Sequence, residues 1–127
     1  MKVKMLLCLF LTTLIFLVNS CEDKQALPSG IPPGCDTASL TYSIGAGVMQ
    51  QIINANCATA NCHVPGGTAP TDFTSYTGLQ RDAGGGTNSL FWQNLFVNRS
   101  MPPASQPRLD LCSQAKLKQW ILIGIPQ

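Results

Sequence analysis

The chain has 127 residues, with eight lysine and arginine residues against six aspartate and glutamate residues and a formal net charge of +2. This length suits a single domain. Lys2 and Lys4 lie at the extreme N-terminus, and without them six basic residues balance six acidic ones. Because no basic patch or Lys/Arg run remains, nucleic-acid binding has no electrostatic footing and we expect no nucleic-acid partner.

The first predicted element is a cleaved signal peptide over residues 1–20. Its apolar run, Met5 to Val18, has about 14 residues, whereas a membrane-spanning helix needs about 20. The residues around Cys21 resemble a bacterial lipobox, which implies that Cys21 becomes the lipidated N-terminus. An ordinary secretory signal with a coincidental cysteine is the alternative. Residues 21–34 are rich in Pro and Gly and predict a flexible linker, followed by a folded domain over residues 35–127.

The domain carries helical apolar spacing and no alternating strand pattern of useful length, which predicts an all-α fold with long loops. A first helix is expected from about Val48, and it leads directly into Cys57. Between this helix and the next, we expect a turn of helix near Tyr76 and a flexible loop over residues 81–87, which contain three consecutive glycines.

Two further helices are predicted from capping residues and breakers. Ser89 precedes the apolar run Leu90 to Val97, which ends before a Pro-rich loop. Asp110 is a good N-cap for the last helix, and Gly124 stops it.

The segment Cys57 to His63 reads Cys-Ala-Thr-Ala-Asn-Cys-His. Two thiols followed by an imidazole are what covalent haem attachment needs, since the thiols can form thioethers while the histidine binds iron. The usual signature is Cys-x-x-Cys-His, and this chain has four residues between the cysteines. Met101 is the candidate sixth ligand, because it lies 38 residues after His63 and the two prolines that follow it restrict the local backbone.

Other interpretations of the same residues stay open. Without Cys8 and Cys21, four cysteines remain, and they allow three disulfide pairings. Cys57 and Cys62 could form a local disulfide, with His63 an ordinary surface residue. The cysteines and the histidine could also bind zinc, although a second close cysteine pair is lacking.

The order of the motifs resembles that of small mono-haem c-type cytochrome domains of Bacteroidetes-type lipoproteins. The resemblance runs from Cys-Asp-Thr through Tyr-Ser, Cys…Cys-His and Met-Pro-Pro to a last helix ending in Trp-Ile-x-x-Gly, over essentially all of Cys35 to Gly124. It implies a cytochrome c-like fold with short helices and long loops around one haem c. Its residue-by-residue implications are haem thioethers at Cys57 and Cys62, iron ligation by His63 and Met101, and a disulfide between Cys35 and Cys112.

The function implied by this resemblance is one-electron transfer to redox partner proteins by an exported cytochrome. The lipid on Cys21 would tether it to a bacterial cell membrane, on the periplasmic side or the outer surface. We expect an electron carrier and not an enzyme, since no Ser-His-Asp set, carboxylate pair or phosphate loop is present and the single histidine is used as a ligand. The alternative is an exported binding module that is held by disulfides and contains no haem.

Overall fold

The computed structural model describes residues 30–42 and 47–127. The predicted signal peptide, the lipidation site Cys21 and most of the predicted linker therefore lie outside the described residues. Within residues 30–42 and 47–127 the regular structure is helical and contains no strand, in agreement with the predicted all-α class. None of the helices in these two ranges has the length and apolar character needed to cross a membrane.

The described part of the chain forms four α-helices, which are joined by turns and long loops. They are α1 (Val48–Asn56), α2 (Tyr76–Ala83), α3 (Leu90–Trp92) and α4 (Leu111–Leu122). A 3-10 turn, Gly86–Asn88, precedes α3, and a π-helical turn, Gln93–Val97, continues it.

Side-chain caps start α3 and α4 where the sequence predicts them. The Ser89 hydroxyl accepts the Trp92 N–H at the start of α3, and the Asp110 carboxylate accepts the Ser113 N–H at 2.9 Å at the start of α4. Such caps satisfy backbone donors that lack a partner within the helix.

The last helix ends in a Schellman motif around Gly124. Gly124 has a φ of +88°, its N–H donates to the Ile121 carbonyl, and the Ile125 N–H donates to the Trp120 carbonyl. This paired arrangement requires a left-handed residue after the helix, for which glycine carries no Cβ penalty. Gly124 is therefore the stop that the sequence predicts.

The prediction of a loop over residues 81–87 is wrong at both of its ends. Helix α2 continues through Ala83, and Gly86–Asn88 forms the 3-10 turn. Leu79 and Ala83 are four residues apart on α2 and are both fully buried. Burial of this apolar face stabilises the helix beyond what the neighbouring glycines indicate from propensity alone.

The hydrophobic core lies between α1 and α4 and extends to α2 and α3. Met49 and Ile53 come from α1, and Trp120 from α4; each is 0% exposed. The Trp120 Nε1–H donates to the Pro126 carbonyl at 3.0 Å, so the indole is buried without losing its hydrogen bond. The buried apolar cluster comprises Leu40, Tyr42, Met49, Ile53, Phe73, Leu79, Ala83, Phe91, Leu109, Leu117, Trp120, Ile121 and Ile125.

A disulfide joins the beginning of the domain to α4. Cys35 and Cys112 are bonded with a Cα–Cα distance of 5.5 Å across a sequence separation of 77, which is the pairing that the resemblance implies. The Tyr42 N–H donates to the Pro126 carbonyl at 3.0 Å, and the Tyr76 hydroxyl donates to the Ile125 carbonyl at 2.8 Å. The N-terminal segment and α2 are thus both bound to the segment that follows α4.

Candidate functional site

Cys57 lies at the C-terminal end of α1 and packs against the hydrophobic core. The Ile53 carbonyl accepts the N–H groups of both Cys57 and Ala58, at 2.8 and 2.9 Å. Burial raises the pKa of the Cys57 thiol to about 12, and the neighbouring Cys62 adds to this effect. Both cysteines are free thiols, so the structure brings two unpaired thiols to the end of α1.

His63 is held in place by three hydrogen bonds. Its N–H donates to the Cys57 carbonyl at 3.2 Å, and its own carbonyl accepts the Phe73 N–H at 2.9 Å. Its ring Nδ1 lies 2.9 Å from the Thr71 carbonyl oxygen. Backbone and imidazole are therefore both fixed relative to the first thiol of the motif.

The partner of Nδ1 determines which ring nitrogen is available for a metal. A carbonyl oxygen can only accept, so Nδ1 must carry the proton in its bond to Thr71. In the neutral imidazole the other nitrogen, Nε2, then has the free lone pair. Metal-binding histidines commonly have this arrangement, because the hydrogen bond at one nitrogen sets the tautomer and orients the other.

An aromatic wall supports the imidazole. The rings of His63 and Phe73 are stacked, with centroids 4.0 Å apart and planes within 2° of parallel. Phe73 is 4% exposed, and its ring centroid lies 5.7 Å from that of Phe91 in α3. The stack fixes the plane of the imidazole and connects it to α3.

The loop after His63 folds back onto Cys62. The Asn61 carbonyl accepts both the N–H and the hydroxyl of Thr68, at 3.1 and 2.8 Å. A Cβ at Gly67 would overlap the Cys62 carbonyl oxygen. Only glycine permits this approach, so residue 67 is part of what shapes the site.

Met101 lies in the Pro-rich loop and is 40% exposed. Its N–H donates to the Asn94 carbonyl in the π-helical turn at 3.1 Å, and the Ser100 hydroxyl donates to the Asn94 side-chain oxygen at 3.2 Å. Met49, in contrast, is fully buried in the core. Met101 is thus the more accessible of the two methionines within residues 30–42 and 47–127.

Both predicted axial ligands are anchored to the same helical segment. The His63 ring stacks on Phe73, whose ring contacts Phe91 in α3. The Met101 N–H donates to Asn94 in the π-helical turn that continues α3. Cys57, Cys62 and His63 form one short, hydrogen-bonded segment. Cys35 and Cys112 lie in the disulfide and do not belong to it.

Large apolar side chains near these elements remain partly exposed. Val97, at the end of the π-helical turn, is 57% exposed. The rings of Trp92 and Phe96 pack edge to face, with centroids 4.9 Å apart. Lys118 Nζ lies 5.1 Å from the Phe96 ring centroid. The residues that border the core without being fully buried include Ile52, Trp92, Leu95 and Phe96.

Three residues that hold the candidate ligands could not be recognised in the sequence: Thr71, Phe73 and Asn94. Thr71 and Asn94 act through backbone carbonyls, which carry no signature of residue type. Phe73 lies ten residues after His63, and only its aromatic character could have pointed to stacking.

The described residues contain no group of three or more His, Cys, Asp and Glu side chains that could hold a metal ion by themselves. Cys35 and Cys112 are oxidised in the disulfide and hence are not thiolate ligands for zinc. The predicted site residues that remain are the His63 imidazole, the Met101 thioether and the free thiols of Cys57 and Cys62.

Comparison of the chain with protein-family profiles, with curated proteins and with solved structures finds no match.

Proposed function

We propose that this chain is a membrane-tethered c-type cytochrome that transfers single electrons through a covalently bound haem. The observation that carries the proposal is the hydrogen bond from His63 Nδ1 to the Thr71 carbonyl at 2.9 Å. This bond leaves Nε2 free for iron, next to two unpaired thiols.

Each residue of the site has a defined role in this proposal. Cys57 and Cys62 would hold the haem through thioethers, and His63 and Met101 would be the ligands of its iron. When bound, the haem supplies one-electron exchange at its iron. The protein residues would fix the ligands, and the partly exposed apolar side chains around α3 would offer contacts to an apolar ring.

The fold supports the proposal at a coarser level. Helix α1 ends in the thiol segment and packs against α4, and the Cys35–Cys112 disulfide joins the start of the domain to α4. These features agree with the cytochrome c-like arrangement that the sequence resemblance implies.

The direct test is a visible spectrum of the protein purified from a host that matures c-type cytochromes. We expect Soret and α bands and haem that stays with the protein in acidified acetone. The matched control, Cys57→Ser with Cys62→Ser, should lose all covalent haem and retain the Cys35–Cys112 disulfide. A wild-type protein without these bands, or one whose haem is extracted, contradicts the proposal.

The role of Met101 is tested separately. Met101→Ala should leave the haem attached and lower its reduction potential, because thioether ligation raises the potential. Met49→Leu is the control, since Met49 is buried in the core and a Leu preserves its approximate volume. A potential that is the same in Met101→Ala and in the wild type excludes Met101 as a ligand.

The tether is part of the same proposal. Electrons would pass to redox partner proteins from a domain held at a bacterial membrane, on the periplasmic side or the outer surface, by lipid on Cys21. Mass spectrometry of the N-terminal peptide should find acyl groups on Cys21, and Cys21→Ser should release the protein into the soluble fraction. An unmodified Cys21 in the mature protein contradicts lipid anchoring without affecting the haem proposal.

A second candidate is an exported binding module held by two disulfides and containing no haem. The Cys35–Cys112 bond is compatible with it, and Cys57 and Cys62 are two free thiols in one short segment that could supply the second bond. Peptide mapping separates the two functions, because a Cys57–Cys62 disulfide excludes thioethers at the same sulfur atoms.

A further inference from the structure

The loop that presents Met101 has few hydrogen bonds of its own. Pro102, Pro103 and Pro107 supply no N–H, so they cannot donate to the loop's carbonyl groups. Arg99 adopts a left-handed conformation with a φ of +53°, which turns the chain just before Met101. The carbonyls around Met101 therefore need donors from elsewhere.

One side chain supplies these donors. Arg108 Nη1 lies 2.7 Å from the Pro102 carbonyl oxygen, 3.0 Å from that of Arg99 and 3.4 Å from that of Met101. Pro102 is buried, so the shortest of these bonds is partly protected from water. Arginine suits this position because its guanidinium is always charged and holds its N–H groups in a rigid plane.

Met101 is thus held from two directions. Asn94 accepts its N–H and anchors the loop to the π-helical turn, while Arg108 binds its carbonyl and those of two neighbours. Asn94 and Ser100 keep the N-terminal side of the loop in place, but Arg108 is the charged group that closes its C-terminal side.

We propose that Arg108 is a positioning residue that holds the Met101 loop and thereby keeps the Met101 thioether available as a ligand. The second half of this statement rests on the proposed function; the first half concerns the protein without haem. Arg108 acts through backbone carbonyls and does not itself bind the iron.

The experiment compares Arg108→Gln, Arg108→Lys and Arg81→Gln with the wild type in the haem-loaded protein. Arg81→Gln is the matched control, because it removes the same charge from an exposed position on α2. The readouts are the sulfur-to-iron absorption band of the ferric protein and the affinity for added imidazole, which competes for the Met101 position.

Loss of a charge-assisted hydrogen bond shifts the equilibrium by about tenfold toward an open loop, in which the Met101 thioether is not bound. We therefore expect Arg108→Gln to bind imidazole about tenfold more tightly and to lose part of the sulfur-to-iron band. Arg108→Lys should recover part of the effect, since an ammonium group can donate to the same carbonyls. Arg81→Gln should match the wild type, and circular dichroism should show that all variants are folded.

The same variants are also measured without haem, by amide hydrogen exchange at Met101. Faster exchange in Arg108→Gln than in Arg81→Gln supports the positioning role whether or not haem binds. The positioning role is overturned if Arg108→Gln and Arg81→Gln have equal exchange rates and equal imidazole affinities. This holds whether both variants match the wild type or both differ from it by the same amount. A wild-type protein that carries no haem contradicts the proposed function, and the exchange measurement then decides the role of Arg108 by itself.

Discussion

Replacing Cys35 and Cys112 with serine removes the covalent bond that closes most of the domain into one loop. The two cysteines are separated by 77 positions in the sequence. In the chain-entropy treatment, a loop of this length limits the unfolded state enough to stabilise the folded protein by about 4.5 kcal/mol. Small domains have total unfolding free energies of about 5–15 kcal/mol, so the loss is a large fraction of the whole.

Urea unfolding of the haem-free protein, followed by circular dichroism at 222 nm, measures this contribution. We expect the double variant to lose about 4.5 kcal/mol and to unfold with a steeper dependence on urea, because its unfolded chain is more expanded and exposes more surface. Cys57→Ser with Cys62→Ser is the control, since it also replaces two cysteines but leaves the disulfide intact. A loss below about 1 kcal/mol with an unchanged urea dependence would refute the entropic account.

Three further predictions concern the site and the helix that supports it. Gly67→Ala should destabilise the protein by about 1–3 kcal/mol and lower the yield of attached haem, because its Cβ would overlap the Cys62 carbonyl; Gly85→Ala, with ordinary contacts, should do neither. With a pKa of about 12, Cys57 in the folded apoprotein should react with iodoacetamide at pH 8 roughly a thousandfold more slowly than in urea; equal rates by peptide mapping would contradict its burial. Asp110→Ala should lower the free energy of thermal unfolding by about 1 kcal/mol through loss of the α4 cap. An unchanged free energy would show that the bond from the Ser113 N–H to Asp110 does not stabilise the helix.

The raised pKa of Cys57 also sets a direction for stability at alkaline pH. The folded state holds the proton more tightly than the unfolded state, whose thiol has an ordinary pKa of about 8.5. The stability associated with this thiol is therefore present below about pH 8.5 and is lost as the pH rises toward about 12. Unfolding of the apoprotein at pH 7 and pH 10 tests this, and Cys57→Ala should remove the difference.

The helices were predictable where local chemistry determines them. Helix α1 begins at Val48 and ends just before Cys57, and the caps at Ser89 and Asp110 accept the expected N–H groups. Apolar spacing and capping side chains act within a few residues, so they can be read directly from the chain. The all-α class follows from them.

The rest depends on contacts between distant residues. Burial of Leu79 and Ala83 continues α2 toward a run of glycines that favours a loop when considered alone. The partner of His63 is a backbone carbonyl eight residues away, and any residue type can provide a carbonyl. The sequence could therefore nominate the imidazole, but only the folded loop shows which of its nitrogens is free.

The disulfide also determines how the domain responds to mechanical load. A force applied to the chain ahead of Cys35 reaches a branch point at that residue and passes through the sulfur atoms directly into the first turn of α4 at Cys112. The covalent path around residues 36–111, including the Cys57 to His63 segment and the Met101 loop, is bypassed. Tension from a surface to which the protein is attached would then be carried by α4, which contributes Leu117, Trp120 and Ile121 to the core, and the spacing between the candidate ligands would be shielded from it.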